Sequence, residues 1–277
     1  MGRAARLAHD ELGLEDLTAV ETPAEIAAKQ AEVMAMFEIS GDSSSDPIAR
    51  RPTDERMEWS CRVASAQERM VREFDLDALA YYYHGAPDSP EEQLQAGFIV
   101  GHSLLTARGV PCAGEGDLKT AVAMKISDVL GVGGSFTEIV VVDYDDETIL
   151  LGHDGPFHMA IAEGKPVLRG LGLYHGKQGT GVSVEAKVRT GAVTTLNVTQ
   201  TRDGRLKLIS SEGVATDGPT MRIGNTQTPV RFSRHPDEYM SRWFSHAPTH
   251  HCAMSVGHNA ALFAKVAELM NLEHVTL

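Results

Sequence analysis

Residues 131–142 read GVGGSFTEIVVV, and the texture of the chain changes there. Downstream, as far as about Phe232, short β-branched runs alternate with turn residues, the pattern of successive strands. The runs are Thr137–Val142, Thr148–Leu151, Val182–Val188, Ala192–Thr199 and Leu206–Ser210. Asp203-Gly204, Asp217-Gly218-Pro219 and Gly224-Asn225 separate them, and each pair or triplet suits a tight turn. Arg202-Asp203-Gly204-Arg205 predicts a hairpin between the last two runs. Helices return at about Pro236–Phe244 and His258–Met270; in the second, Leu262, Val266 and Leu269 share one face.

Upstream of Gly131 the spacing is helical. In Pro23–Phe37, Ile26, Ala27, Ala31, Met34 and Phe37 recur with a helical period, and Thr22 followed by Pro23 reads as a cap and a first-turn proline. Residues 40–53 are a polar loop, and further helices are expected over Thr53–Phe74, Glu91–Arg108 and Asp117–Leu130. Strands are expected at Leu79–His84 and Val110–Ala113. Alternation of helices with short strands predicts a partial open α/β, Rossmann-like domain over residues 1–130. A mostly antiparallel β-rich domain with a C-terminal helix follows over residues 131–277. The first hundred residues hold several helices and one convincing strand, which fits a helical extension or a chain that starts inside a longer protein.

Charge narrows the partners. The 277 residues carry 25 Lys and Arg against 38 Asp and Glu, a formal charge of −13. Binding to nucleic acid or an anionic membrane requires clustered cations, so neither is expected. No run approaches the roughly 20 apolar residues of a membrane span, and residues 1–17 lack the apolar core of a secretory signal. Cys61, Cys112 and Cys252 are odd in number and widely spaced. They do not form a disulfide framework, and a reducing cytoplasm is the expected compartment.

Four places hold side chains suited to chemistry. Glu115 lies in Gly114-Glu115-Gly116-Asp117, between a short strand and a helix, where open α/β sheets place their ligands. Asp117, in the first turn of that helix, is explained by the helix dipole. Glu138 is a charge inside the apolar strand Thr137–Val142, costly unless exposed, paired or metal-bound. His153 precedes Asp154-Gly155-Pro156 at a strand end, and His158 follows closely; imidazole is a common metal ligand whose tautomer a carboxylate can fix. His250-His251 are adjacent in an extended segment, so alternation lets at most one enter a given pocket. A mixed carboxylate and imidazole set suits Mn²⁺ or a similar divalent cation. Short-spaced His or Cys metal motifs, a P-loop and a Gly-x-Ser-x-Gly elbow are all absent from the sequence.

The blocks Ala113-Gly114-Glu115-Gly116-Asp117-Leu118-Lys119-Thr120-Ala121, Gly134-Ser135-Phe136-Thr137-Glu138, Leu150-Leu151-Gly152-His153 and Pro248-Thr249-His250-His251 resemble the L-arabinose isomerase family in order and spacing. The similarity runs from about Leu94 to the C-terminus. It implies a metal site of Glu115, Glu138, His153 and, of the final pair, His251, holding Mn²⁺ or another divalent cation such as Co²⁺ or Mg²⁺. It also implies aldose–ketose interconversion through a cis-enediol, with Glu115 and Glu138 as the acid–base pair. His84, at the end of the aromatic strand, and Asp154 are the candidate sugar-binding residues. The expected partners are a small sugar and further copies of the chain in a homo-oligomer. The resemblance implies that an N-terminal α/β domain carried by family members is missing here, and Asp154-Gly155-Pro156 departs from the residues that usually follow the histidine. The other readings are a metal- or sugar-binding module without turnover, a fragment that needs a partner chain, and a metal enzyme of different chemistry on the same scaffold.

Overall fold

Thr22 starts the first described helix of the computed structural model, which describes residues 21–42, 50–82, 89–170, 173–174, 177–178, 181–218 and 220–277. α1 (Pro23–Met36) opens on a capping box: the Thr22 hydroxyl accepts from the Glu25 amide, and the Glu25 carboxylate accepts from the Thr22 amide. β1 (Glu38–Ile39) follows, then α2 (Asp54–Phe74), capped by the Thr53 hydroxyl. β2 (Leu79–Ala80), α3 (Pro90–Ala96), α4 (Phe98–Ala107), β3 (Cys112–Ala113) and α5 (Leu118–Val129) complete the first half.

Two expectations for this half are corrected. The helix expected over Glu91–Arg108 is two helices, because the chain breaks at Gly97, which packs against the Val63 side chain and whose amide turns back to the Leu94 carbonyl. The strand expected over Leu79–His84 is paired only at Leu79–Ala80; Tyr81 and Tyr82 leave it, and residues 83–88 lie outside the described residues. Among the described residues the parallel sheet of this half is the pair β2–β3, two residues long on each side.

The second half contains β4 (Gly133–Asp143), β5 (Thr148–His153), β6 (Val167–Gly170), β7 (Leu173–Tyr174), β8 (Lys177–Gln178), β9 (Val182–Glu185), β10 (Gly191–Gln200), β11 (Leu206–Ala215), β12 (Thr226–Phe232), α6 (Pro236–Ser245), β13 (His251–Val256), α7 (Ala260–Met270) and β14 (Glu273–Thr276). β10 and β11 form the expected hairpin, with Gln200 opposite Leu206 around Asp203-Gly204. The strand expected to reach Val188 stops at Glu185. His258 flanks the last helix, whose N-cap is Asn259.

Six strands close on themselves. The order β10–β13–β4–β5–β12–β11 returns to β10, and every neighbouring pair is antiparallel. Closure gives each of these strands a neighbour on both sides and so satisfies backbone groups that an open edge would expose. β14 adds outside β11, parallel to it. A small sheet, β1–β6–β9, stands beside the barrel. Arg169 on β6 grips Glu185 on β9 at 2.6 and 3.1 Å, and the same carboxylate accepts from the Gly224 amide ahead of β12.

Alternation along β10 divides the cores. Val193 joins Ile149, Leu151, Ile209, Val230 and Met254 with Tyr239 and Trp243 of α6 and with Phe37, Ile99 and Leu104 from the first half. Tyr239 stacks on Phe232 and donates to the Ser211 hydroxyl at 3.1 Å. Leu196 and Val198 face the other way, onto Phe136, Met124 of α5 and Phe263 of α7. Both cores draw on residues from either side of position 130. Cys61, Cys112 and Cys252 are buried free thiols, and burial raises the pKa of each. Among the described residues no helix is long and apolar enough to cross a membrane.

Candidate metal centre

The loop after β3 carries the first carboxylate. Asp117 caps α5, one carboxylate oxygen accepting from the Thr120 amide at 2.9 Å and the other from its hydroxyl at 2.8 Å. The Gly116 amide donates to the Tyr81 carbonyl at 2.6 Å and ties the loop to the end of β2. Gly114 lets the loop lie on the Phe136 ring, since a Cβ there would approach that ring to 2.8 Å. Between the two glycines Glu115 takes a left-handed backbone, φ 56°. That conformation costs a non-glycine residue about 1 kcal/mol and recurs where a side chain must be aimed.

Three adjacent barrel strands supply the rest. Glu138 on β4 is paired with His251 at the start of β13 and, on its other side, with Gly152 of β5. His153 ends β5; its amide donates to the Thr226 hydroxyl at 2.9 Å, and its carbonyl accepts from that hydroxyl at 3.0 Å. The loop beyond it is held by the Phe157 amide donating to Ser103 of α4 at 3.0 Å. Phe136 is the floor, its ring centre 4.6 Å from that of His153 and 4.5 Å from that of His251.

Residues distant in sequence therefore converge. His153 Nε2 lies 3.7 Å from Glu115 Oε1 and 4.0 Å from Glu138 Oε1, and His251 Nε2 lies 3.6 Å from Glu115 Oε2. The two imidazoles are 1% and 2% exposed, whereas the Glu115 and Glu138 side chains are 39% and 32% exposed. The histidines form the buried wall and the carboxylates the open side. Neither buried Nε2 atom has a hydrogen-bond partner among the described residues.

Carboxylates stand behind both rings. His251 Nδ1 is 3.1 Å from Asp117 Oδ2. Burial pushes the Asp117 carboxyl up, but the bonds from His251 and Thr120 outweigh it and hold its pKa at about 2. An ionised Asp117 only accepts, so Nδ1 carries a proton, and in the neutral imidazole Nε2 is the atom left with a lone pair towards Glu115. Asp154 Oδ1 is 3.3 Å from His153 Nδ1, within ion-pair distance but not aligned for a hydrogen bond. Glu115 is held down to about pKa 2, chiefly by His153 and, against the effect of burial, by the charges of His251, His153 and His250.

The expectation that only one of the final pair enters the pocket is corrected. His250 Nε2 lies 3.8 Å from Glu115 Oε2 and 3.7 Å from Glu138 Oε2, while its ring centre is 3.9 Å from that of His251. The alternation rule does not apply because β13 begins at His251 and His250 is on the bend before it. Glu115, His250 and His251 each offer one atom within 4.8 Å of the others. His250 is 64% exposed and covers the carboxylates from the open side.

His84 lies outside the described residues. Asp154, the other candidate sugar-binding residue, lies against His153. His158 is buried, its amide donating to Ser135 at 3.2 Å, and burial lowers its pKa. Asp117 was legible only as a helix-end charge; the cap and the His251 contact use the same carboxylate. Phe136 gave no signal beyond apolar character.

In comparisons with known proteins, no family model matches the chain and no curated protein matches it significantly.

Proposed function

We propose that this chain is a divalent-metal-dependent sugar isomerase that interconverts an aldose and its ketose, of the L-arabinose to L-ribulose type. The supporting observation is that Glu115 stands between His153 and His251, with Glu138 beside His153 and both buried Nε2 atoms turned to carboxylates and lacking a hydrogen-bond partner among the described residues; the donors that all lie within 4.8 Å of one another are those of Glu115, His250 and His251. Separations of 3.6 to 4.0 Å are too long for hydrogen bonds. They are close to the spacing of neighbouring ligands around one cation, roughly 3–4 Å for metal–ligand bonds of about 2.0–2.3 Å. The oxygen and imidazole donors fit Mn²⁺, with Co²⁺ or Mg²⁺ as substitutes. His153 and His251 are the better imidazole ligands than His250, because each is buried and backed by a carboxylate.

The bound cation would supply Lewis acidity for the sugar oxygens next to the migrating proton. The chain's own residues do the rest. A carboxylate of the Glu115–Glu138 pair takes the proton from C2 of the aldose and returns it to C1, while a second proton passes from O2 to O1, by way of a cis-enediol. Phe136 closes the floor and His250 bears on both carboxylates from the open side. On the same reading, β2–β3 with α5 is part of a Rossmann-like layer, and the enzyme is a cytoplasmic homo-oligomer.

The test is direct. Chelator-stripped protein is reloaded with Mn²⁺, Co²⁺ or Mg²⁺ and given a panel of pentoses and hexoses. Ketose is expected to form with Mn²⁺ and to stop on re-addition of chelator. Tight Mn²⁺ binding with no ketose from any sugar would leave a metal-binding module; no Mn²⁺ binding would remove the metal centre itself. The tautomer argument makes a further prediction. Asp117→Asn keeps a good capping residue but no longer accepts as an anion from His251. Mn²⁺ affinity should fall roughly 10- to 100-fold by titration calorimetry, with the thermal midpoint of the metal-free protein little changed. Unaltered affinity would show that Asp117 is only a cap.

A further inference from the structure

The backbone ladder between β10 and β13 ends at Leu196 opposite Ala253, two residues short of His251. The start of β13 stays paired with β4, through His251 opposite Glu138, while β10 reaches it with side chains instead. Asn197 is fully buried and donates its amide nitrogen to two carbonyls, that of Thr249 at 3.3 Å and that of His251 at 2.5 Å. Carbonyls only accept, so the donating end of the amide has to face them. Thr199, two residues on and therefore on the same face of β10, donates its hydroxyl to the Ala247 carbonyl at 3.1 Å. Ala247 itself holds a left-handed backbone, φ 47°. The Thr249 hydroxyl adds a third hold, donating to the His251 carbonyl at 3.2 Å.

The two bonds of Asn197 bracket the histidine pair. Two oxygens held by one nitrogen at 3.3 and 2.5 Å are closer together than the roughly 6.6 Å that two residues of a strand advance. The segment is contracted, and adjacent side chains need not point to opposite faces. His250 Nε2 and His251 Nε2 accordingly lie 3.8 and 3.6 Å from the same atom, Glu115 Oε2. The buried Oδ1 of Asn197 has no hydrogen-bond partner among the described residues. An unpaired buried acceptor is costly, and an apolar residue at this position would avoid that cost. What it would not supply is a donor to both carbonyls.

We propose that Asn197 is a positioning residue of the metal centre, acting through the backbone of Thr249–His251 to present both imidazoles to Glu115, with Thr199 as a lesser hold on the same segment. The inference rests on the metal-centre reading and adds what fixes the histidine pair in it. His251 is demanding in this respect. Its Nδ1 meets Asp117 at 3.1 Å while its Nε2 faces Glu115, so a turn of the peptide that Asn197 holds disturbs both contacts.

The experiment compares the full chain with Asn197→Leu, which is similar in size and has no donor, and with Thr199→Val, which removes one hydroxyl at nearly constant shape. Each protein is titrated with Mn²⁺ by calorimetry and melted without metal. Each is also loaded with Co²⁺, whose visible absorption reports the geometry of its donor atoms. Asn197→Leu is expected to weaken Mn²⁺ binding by roughly tenfold, the lower end for groups that orient a ligand. It should also change the Co²⁺ spectrum at a temperature where the metal-free variant is fully folded. Thr199→Val should shift both in the same direction, with affinity lower by roughly two- to threefold. A lower melting midpoint in Asn197→Leu, with the Mn²⁺ affinity and Co²⁺ spectrum of the unmodified chain, overturns the positioning role and leaves the metal centre intact. Should Asn197→Leu fail to fold, Asn197→Ser, which is smaller and keeps one donor, takes its place with the same two outcomes. Absence of Mn²⁺ binding by the unmodified chain overturns the metal centre and the positioning role with it.

Discussion

Glu138→Gln should lower aldose–ketose conversion by roughly 10²–10⁴-fold, the range of a lost general acid–base group, and weaken Mn²⁺ binding in the same protein. Glutamine is nearly isosteric, so β4 keeps its pairing with His251 and Gly152. What changes is the charge. Glu138 lies 4.0 Å from His153 Nε2 and 3.7 Å from His250 Nε2, and the amide offers those imidazoles and a cation only a neutral oxygen. Ketose formation reports the proton transfer, and Mn²⁺ titration reports the ligand. Normal values for both would remove Glu138 from the centre. Normal Mn²⁺ affinity with lost turnover would make it an acid–base group outside the coordination shell.

Gly152→Ala tests the scaffold without reference to any activity. Gly152 is paired with Glu138 on one side and Gln227 on the other. A Cβ at this position would lie 2.0 Å from the Thr226 carbonyl oxygen and 3.1 Å from the Gln227 Cα. Both are backbone atoms of β12, so no side-chain rotation relieves the overlap. The variant should lose about 3 kcal/mol of stability, at the upper end for overpacking, read as a lower midpoint in urea. His153 should move with β5, so Mn²⁺ binding should fall as well. Gly41→Ala is the control, since nothing lies within 4 Å of its added Cβ; it should stay within about 0.5 kcal/mol. Equal stability of the two variants would mean that β5 and β12 are not packed as described.

Local chemistry made much of this legible beforehand. Thr22-Pro23 and Thr53 mark helix starts through their own hydrogen bonds, and Asp203-Gly204 marks a hairpin through its turn geometry. Barrel closure was not legible. It depends on β13 lying between β10 and β4, pairings between strands tens of residues apart that no local period encodes. The break at Gly97 was hidden because the apolar pattern runs through it, and the Val63 side chain that packs on Gly97 comes from another helix. At the centre, Glu115, Glu138, His153 and the pair His250-His251 stood out as residue types in unusual settings, and His251 was singled out of the pair only through the resemblance. The double use of Asp117 did not, because a capping aspartate looks the same whether or not an imidazole lies 134 positions away. His250 was misjudged for a similar reason: alternation was applied one residue before the strand begins.

The placement of His251 has a consequence for assembly. It arrives on β13, laid between β4 and β10, while Asp117 waits at the head of α5. A chain in which the last barrel strand has not docked has Glu115, Glu138 and His153 but lacks the fourth group. An ion with affinity for the complete set therefore favours the docked state over every earlier one, by RT ln(1 + [ion]/Kd). On the proposed metal reading, ion supply and completion of the barrel would become one equilibrium, and the ion would act as a late-stage fastener for the C-terminal segment.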